Sequence, residues 1–166
     1  MDLELRGKVA IVTGASRGIG HAIARQLSNE GMRLVLAARS RDLLDQVARE
    51  CGTECLVHAG DLREPDVPAA MVKAALERYG QIDLLVNNAG ATKRGDFLAL
   101  EDGDWSDGFA LKLFGAMRCA RAAWPLASMT VFCRSPPACS FSCGAIAPAC
   151  EDAPGVWLRL ASAFSL

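Results

Sequence analysis

Four short apolar runs alternate with amphipathic stretches along the first 126 residues, and the two periods predict alternating strands and helices. Residues 8–13, Lys-Val-Ala-Ile-Val-Thr, are rich in β-branched side chains and end at a glycine, as a strand buried on both faces would. After the turn at 14–20, Ile19, Ile23, Ala24 and Leu27 recur at helical spacing, and Gly31 follows where a helix cap is expected. Residues 33–38 predict a second strand, 41–51 a second helix stopped by Gly52, and 54–59 a third strand. Pro65 opens a third helix that runs to Tyr79, with Ala69, Val72 and Leu76 along one face and Gly80 as its stop. Residues 82–86 predict a fourth strand, 101–126 a long helix around Trp105, Phe109 and Leu113, and 129–133 a candidate fifth strand.

Strands alternating with helices of this length imply a parallel sheet covered on both faces, because right-handed crossovers carry successive helices over it. The expected fold class is therefore a doubly wound α/β fold of Rossmann type. In such sheets ligands bind beyond the carboxyl ends of the strands, so the loops at 14–20, 39–41, 61–63 and 87–93 should converge on one site.

Composition narrows the partners. A chain of 166 residues with 51% hydrophobic and 22% charged residues fits one soluble domain. A net charge of −1 offers no electrostatic footprint for nucleic acid or an anionic membrane surface. The N-terminal residues show no basic segment followed by an apolar run, and no apolar stretch approaches the roughly 18 residues a membrane span requires. A cytoplasmic protein without a membrane partner is expected. The seven cysteines are odd in number and irregular in spacing, which argues against a disulfide framework, and Cys133, Cys139, Cys143 and Cys150 do not match zinc-ligand spacing. No metal site is expected.

The turn Thr13-Gly14-Ala15-Ser16-Arg17-Gly18-Ile19-Gly20 sits between a predicted strand and a predicted helix. Glycines there permit positive φ and close backbone approach, while free amides and the helix dipole favour a pyrophosphate. This T-G-x-x-x-G-I-G spacing resembles the first signature of the short-chain dehydrogenase/reductase family, and Asn87-Asn88-Ala89-Gly90 after the fourth strand is similar to its second. The resemblance extends to Asp61-Leu62 after the third strand, where it implies contact with the adenine ring, and covers about three quarters of the chain. It implies an oxidoreductase that moves hydride between a nicotinamide and an alcohol or carbonyl compound. The implied dinucleotide-binding residues are Gly14, Ser16, Arg17, Gly18, Ile19, Gly20, Arg39, Ser40, Asp61, Leu62, Asn88, Ala89 and Gly90.

An acidic residue at the end of the second strand would pair with the ribose hydroxyls of NAD and repel a 2′-phosphate. This chain has Ala37-Ala38-Arg39-Ser40-Arg41 instead. Together with Arg17, Arg39 supplies a second guanidinium suited to the 2′-phosphate, so NADP is expected over NAD.

The catalytic half of the resemblance is missing. The family uses a tyrosine to pass a proton to or from the substrate oxygen, a lysine four residues later to tune it, and a serine to orient substrate. Here the one tyrosine is Tyr79, its fourth successor is Asp83, and no lysine follows Lys112. Lys112, seven residues after Trp105, takes the place where many members carry an active-site asparagine. No catalytic residue is assigned.

Residues 127–166 also change character. They hold four of the seven prolines, four of the seven cysteines and six serines, but only Arg134, Glu151, Asp152 and Arg159 among the charged residues. Pro136-Pro137, Pro148 and Pro154 interrupt any long helix there. The expected organisation is thus a nucleotide-binding domain at 1–126, its sheet incomplete on the C-terminal side, and an atypical tail at 127–166. A shifted reading frame, alternative splicing, true divergence or a disordered extension would each produce such a tail, and its few charges argue against the last. Phe132, Phe141, Trp157, Leu158, Leu160 and Phe164 make the tail a candidate association surface or an aggregation liability. The resemblance implies a homo-oligomer built partly through residues 105–126. Two functions stand side by side: an NADP-dependent oxidoreductase by ancestry, and a non-catalytic nucleotide-binding remnant or interaction protein as the chain is written.

Overall fold

The computed structural model describes residues 4–91, 93, 95–124 and 129–132, the last four as backbone. Five strands, β1 (Val9–Thr13), β2 (Arg33–Ala38), β3 (Cys55–Ala59), β4 (Leu84–Asn87) and β5 (Met129–Phe132), form one sheet in the order β3-β2-β1-β4-β5. Every pairing is parallel, with Val12 opposite both Leu36 and Val86. The expected doubly wound α/β architecture is present. β5 falls within the segment 127–166 and joins the sheet beside β4. Cys133, Cys139, Cys143, Cys150, the tail prolines and the tail's apolar residues from Phe141 onward lie outside the described residues.

The two-residue period of β1 divides the core. Ala10 and Val12 face α1 (Gly18–Asn29) and α2 (Arg41–Glu50), where Ala24, Leu27, Leu44 and Val47 cover them. Val9 and Ile11 face the opposite layer, α3 (Val67–Tyr79) and α5 (Ala116–Ala123), which contributes Met71, Val72, Ala75, Cys119 and Ala123. Each fully buried leucine or isoleucine here contributes about 1.5–3 kcal/mol of burial free energy.

Three helical expectations need correction. Ile19 is exposed, because it lies in the first turn of α1 on the ligand side, and only Ile23, Ala24 and Leu27 of the predicted stripe reach the core. Helix α3 begins at Val67 rather than Pro65, since residues 61–67 form turns with Glu64 N–H bonded to the Asp61 carbonyl, and Pro68 occupies the first helical turn. Its buried face is Pro68, Met71, Val72, Ala75 and Tyr79, leaving Ala69 exposed.

The long helix at 101–126 is α4 (Asp102–Phe109), a π-helical segment (Ala110–Gly115) and α5, with Leu126 outside the described residues. Trp105, Phe109 and Leu113 point outward, at 43%, 52% and 53% exposure. The inward stripe is Gly108, Gly115, Cys119 and Ala123. Close approach is the reason: a Cβ on Gly115 would stand 3.0 Å from the Leu62 carbonyl oxygen, so only small residues fit against the loop after β3.

Candidate functional site

The parallel register brings the loops after β1, β2, β3 and β4 to one edge of the sheet, where the residues singled out in the sequence are found. Gly14, Ser16 and Arg17 form the turn after β1, and Gly18, Ile19 and Gly20 open α1. Arg39 and Ser40 follow β2, Asp61 and Leu62 follow β3, and Asn88, Ala89 and Gly90 follow β4.

The glycine turn is built by contact. Gly18 has φ +58° with open space around it, leaving the backbone accessible from solvent. Gly20 is the reverse case: a Cβ there would lie 2.2 Å from the Gly14 carbonyl oxygen and 2.5 Å from the Asn88 side-chain nitrogen. The first turn of α1 carries no acidic residue, so its free amides and positive dipole end meet no competing carboxylate. Arg17, the residue before the helix, is exposed. This open, electropositive backbone cradle fits a pyrophosphate.

Thr13 and Asn88 couple the turn to the loop after β4. The Thr13 hydroxyl donates to the Val86 carbonyl at 3.1 Å and accepts from the Asn88 and Ala89 amides, both at 3.0 Å. The Asn88 side chain donates back to the Thr13 and Gly14 carbonyls at 3.0 and 3.3 Å. Thr13 is thus a positioning residue that the motif alone undervalues.

On the other side of β1, Gly14 and Ala15 donate to the Ala37 carbonyl at 2.7 and 3.2 Å, and Gly60 donates to the Ala38 carbonyl at 3.0 Å. Arg39 is exposed just beyond and close enough to Asp61 to act on its charge. Burial opposes ionisation of Asp61, but the Arg63 amide, 3.0 Å from its Oδ1, the Arg63 guanidinium and the Arg39 charge outweigh that and hold the carboxyl below its usual range. Arg63 also forms a two-point contact with Asp107 of α4, at 2.8 and 2.9 Å, and its carbonyl accepts from Arg118 of α5 at 3.0 Å. Sequence reading missed this bridge, whose partners lie 44 and 55 positions away from Arg63. Leu62 follows β3 as expected, with its side chain buried in the core on the α3 side.

Tyr79 is remote from these loops. Its hydroxyl, on the buried face of α3, donates to the Leu34 carbonyl at 3.4 Å, near the amino end of β2. Burial, with Glu54 nearby, pushes its hydroxyl pKa up to about 12.

Among the described residues no three metal-ligating side chains cluster, and no helix is long and apolar enough to cross a membrane.

Residues 8–130 match the short chain dehydrogenase family. Oxidoreductase UcpA of Escherichia coli (strain K12) is 36% identical over 124 residues, which is 74% of this chain and 47% of that protein. A metagenomic short-chain oxidoreductase solved in complex with NADP is 42% identical, with a TM-score of 0.66 over 70% of this chain and 55% of that one. A short chain dehydrogenase/reductase from Burkholderia phymatum, solved in complex with NAD, is 33% identical, with a TM-score of 0.71 over 75% of this chain and 46% of that one. The chain spans about half the length of the curated relatives it matches. With both signatures seated on a parallel sheet and the family match covering residues 8–130, the chain belongs to the short-chain dehydrogenase/reductase family.

Proposed function

We propose that this chain binds NADP(H) in preference to NAD(H), and that in its 166-residue form it holds the dinucleotide without turning over an alcohol or carbonyl substrate. Relatives bind either dinucleotide, as the NADP and NAD complexes illustrate, so the preference rests on this chain's own residues.

The observation that carries the preference is the exposed Arg39, which follows β2 in place of a carboxylate. A 2′-phosphate there meets a guanidinium that can bond it at two points, with Arg17 across the glycine turn as a second cation. NAD would offer the same position only neutral hydroxyls. Residues 14–20 would hold the pyrophosphate on the amides that open α1, while Asn88 and Thr13 keep the turn in shape. When bound, the nicotinamide supplies hydride chemistry.

The lack of turnover follows from the proton relay. The chain has one tyrosine, and its hydroxyl is bonded near the amino end of β2, opposite the ligand loops. No Tyr-x-x-x-Lys pair occurs in the sequence. The exposed stripe of Trp105, Phe109, Leu113 and Met117 supports self-association as the accompanying proposal.

Arg39→Ala tests the cofactor assignment. It should weaken NADPH binding about tenfold or more while changing NADH binding less than about twofold. An equal loss for both cofactors would remove the 2′-phosphate role from Arg39. Sustained NADPH oxidation by the purified chain with any aldehyde or ketone in a broad panel would contradict the non-catalytic half.

A further inference from the structure

We infer that Lys112 is a binding residue for the nicotinamide nucleotide half of the dinucleotide, meeting its phosphate and ribose oxygens above Gly90. The inference rests on the NADP(H) reading and extends it to the other end of the ligand.

The strand order sets the direction of the ligand. With β3 and β2 on one side of β1 and β4 on the other, Arg39 and Asp61 mark the adenosine side and residues 88–90 the opposite side. Neighbouring strands lie about 4.8 Å apart, so the ends of β2 and β4 are separated by roughly 10 Å across the glycine turn. A dinucleotide with its 2′-phosphate at Arg39 and its pyrophosphate at residues 14–20 must carry its second nucleotide toward the Gly90 side.

Lys112 is the cation in position there. A Cβ on Gly90 would lie 2.9 Å from Lys112 Cε, 3.1 Å from its Cγ and 3.6 Å from its Cδ. The lysine stem is therefore laid along the bare backbone of Gly90. Lys112 is an exposed residue, and among the described residues it forms no ion pair. Lys93, the other lysine of this edge, is engaged 2.9 Å from Asp104.

Lys112 sits in the π-helical segment Ala110–Gly115, where the wider turn displaces side chains from the register of an α-helix. The segment is held at both of its ends by the loop after β3: Gly115 packs on the Leu62 carbonyl, while Asp107 of the preceding helix is clamped by Arg63. An aliphatic stem on Gly90 with a free ammonium beyond it is a point charge suited to phosphate or ribose oxygen.

The test compares NADPH with 2′,5′-ADP, which lacks the nicotinamide nucleotide, by calorimetric titration of the full chain. Lys112→Met should weaken NADPH about tenfold or more and 2′,5′-ADP less than about twofold, and Lys112→Arg should restore most of the loss. Equal effects on the two ligands, or no effect on NADPH, would overturn the assignment while leaving the NADP(H) reading intact. Failure of the unsubstituted, folded chain to bind either ligand would overturn that reading and this inference with it. Because Lys112 is exposed, unchanged melting of the Met variant should accompany the expected result.

Discussion

The Asn88 side chain donates to the Thr13 carbonyl at 3.0 Å, while the Thr13 hydroxyl accepts from the Asn88 amide at the same distance. This reciprocal pair locks the loop after β4 onto the turn after β1, and so fixes the floor of the candidate dinucleotide site. Thr13→Val keeps the shape but removes an acceptor shared by two amides and the donor to Val86. It should cost about 1–3 kcal/mol in urea denaturation, with Thr13→Ser recovering most of that.

The two glycines of the turn should respond to a methyl group for different reasons. Gly20→Ala places a methyl 2.2 Å from the Gly14 carbonyl oxygen, so the backbone must shift, at a cost of about 1–3 kcal/mol or more in thermal unfolding. Gly18→Ala meets open space and pays only for its positive φ, roughly 1–2 kcal/mol. A Gly20→Ala variant as stable as the unsubstituted chain would contradict the packing described.

Asp61 should leave a signature at acid pH. Its folded pKa lies below the unfolded value of about 3.9, so its contribution is present above that value and is lost as pH falls through the folded pKa. Asp61→Asn removes this ionisation. Between about pH 5 and pH 2 the unsubstituted chain should therefore lose stability relative to the variant, measured by denaturation at each pH. Parallel curves would remove the Arg63 and Arg39 contributions from the account.

Tyr79 gives a prediction free of competing signals, because it is the one tyrosine in the chain. Its ultraviolet titration should have a midpoint of about 12 while the fold holds. Tyr79→Phe should leave NADPH affinity unchanged and cost no more than about 1 kcal/mol for the lost 3.4 Å hydrogen bond. A large drop in affinity would return this tyrosine to the site.

Much of this architecture is written in short-range pattern. Runs such as residues 9–12 must be buried on both faces, and helical stripes such as Ala24 and Leu27 identify their own covers. The glycine turn was legible because its chemistry lies within eight consecutive residues. The Thr13–Asn88 lock spans 75 positions and the Arg63–Asp107 clamp 44, and hydrophobic periodicity says nothing about polar pairs at such separations. The interruption of the long helix is hidden for a physical reason: its inward stripe is made of small residues, because a Cβ on Gly115 would stand 3.0 Å from the Leu62 carbonyl oxygen, and the π-helical segment between α4 and α5 has no period of its own to detect. The placement of Lys112 over Gly90 depends on that segment and so was hidden as well.

Calorimetric titration of the purified, folded chain with NADPH and separately with NADH tests the central claim most directly. The account predicts saturable binding of both with NADPH at least about tenfold tighter, the difference expected from charge-assisted bonds to one 2′-phosphate. Equal or tighter binding of NADH would contradict the role given to Arg39, and no binding of either would contradict the dinucleotide site itself.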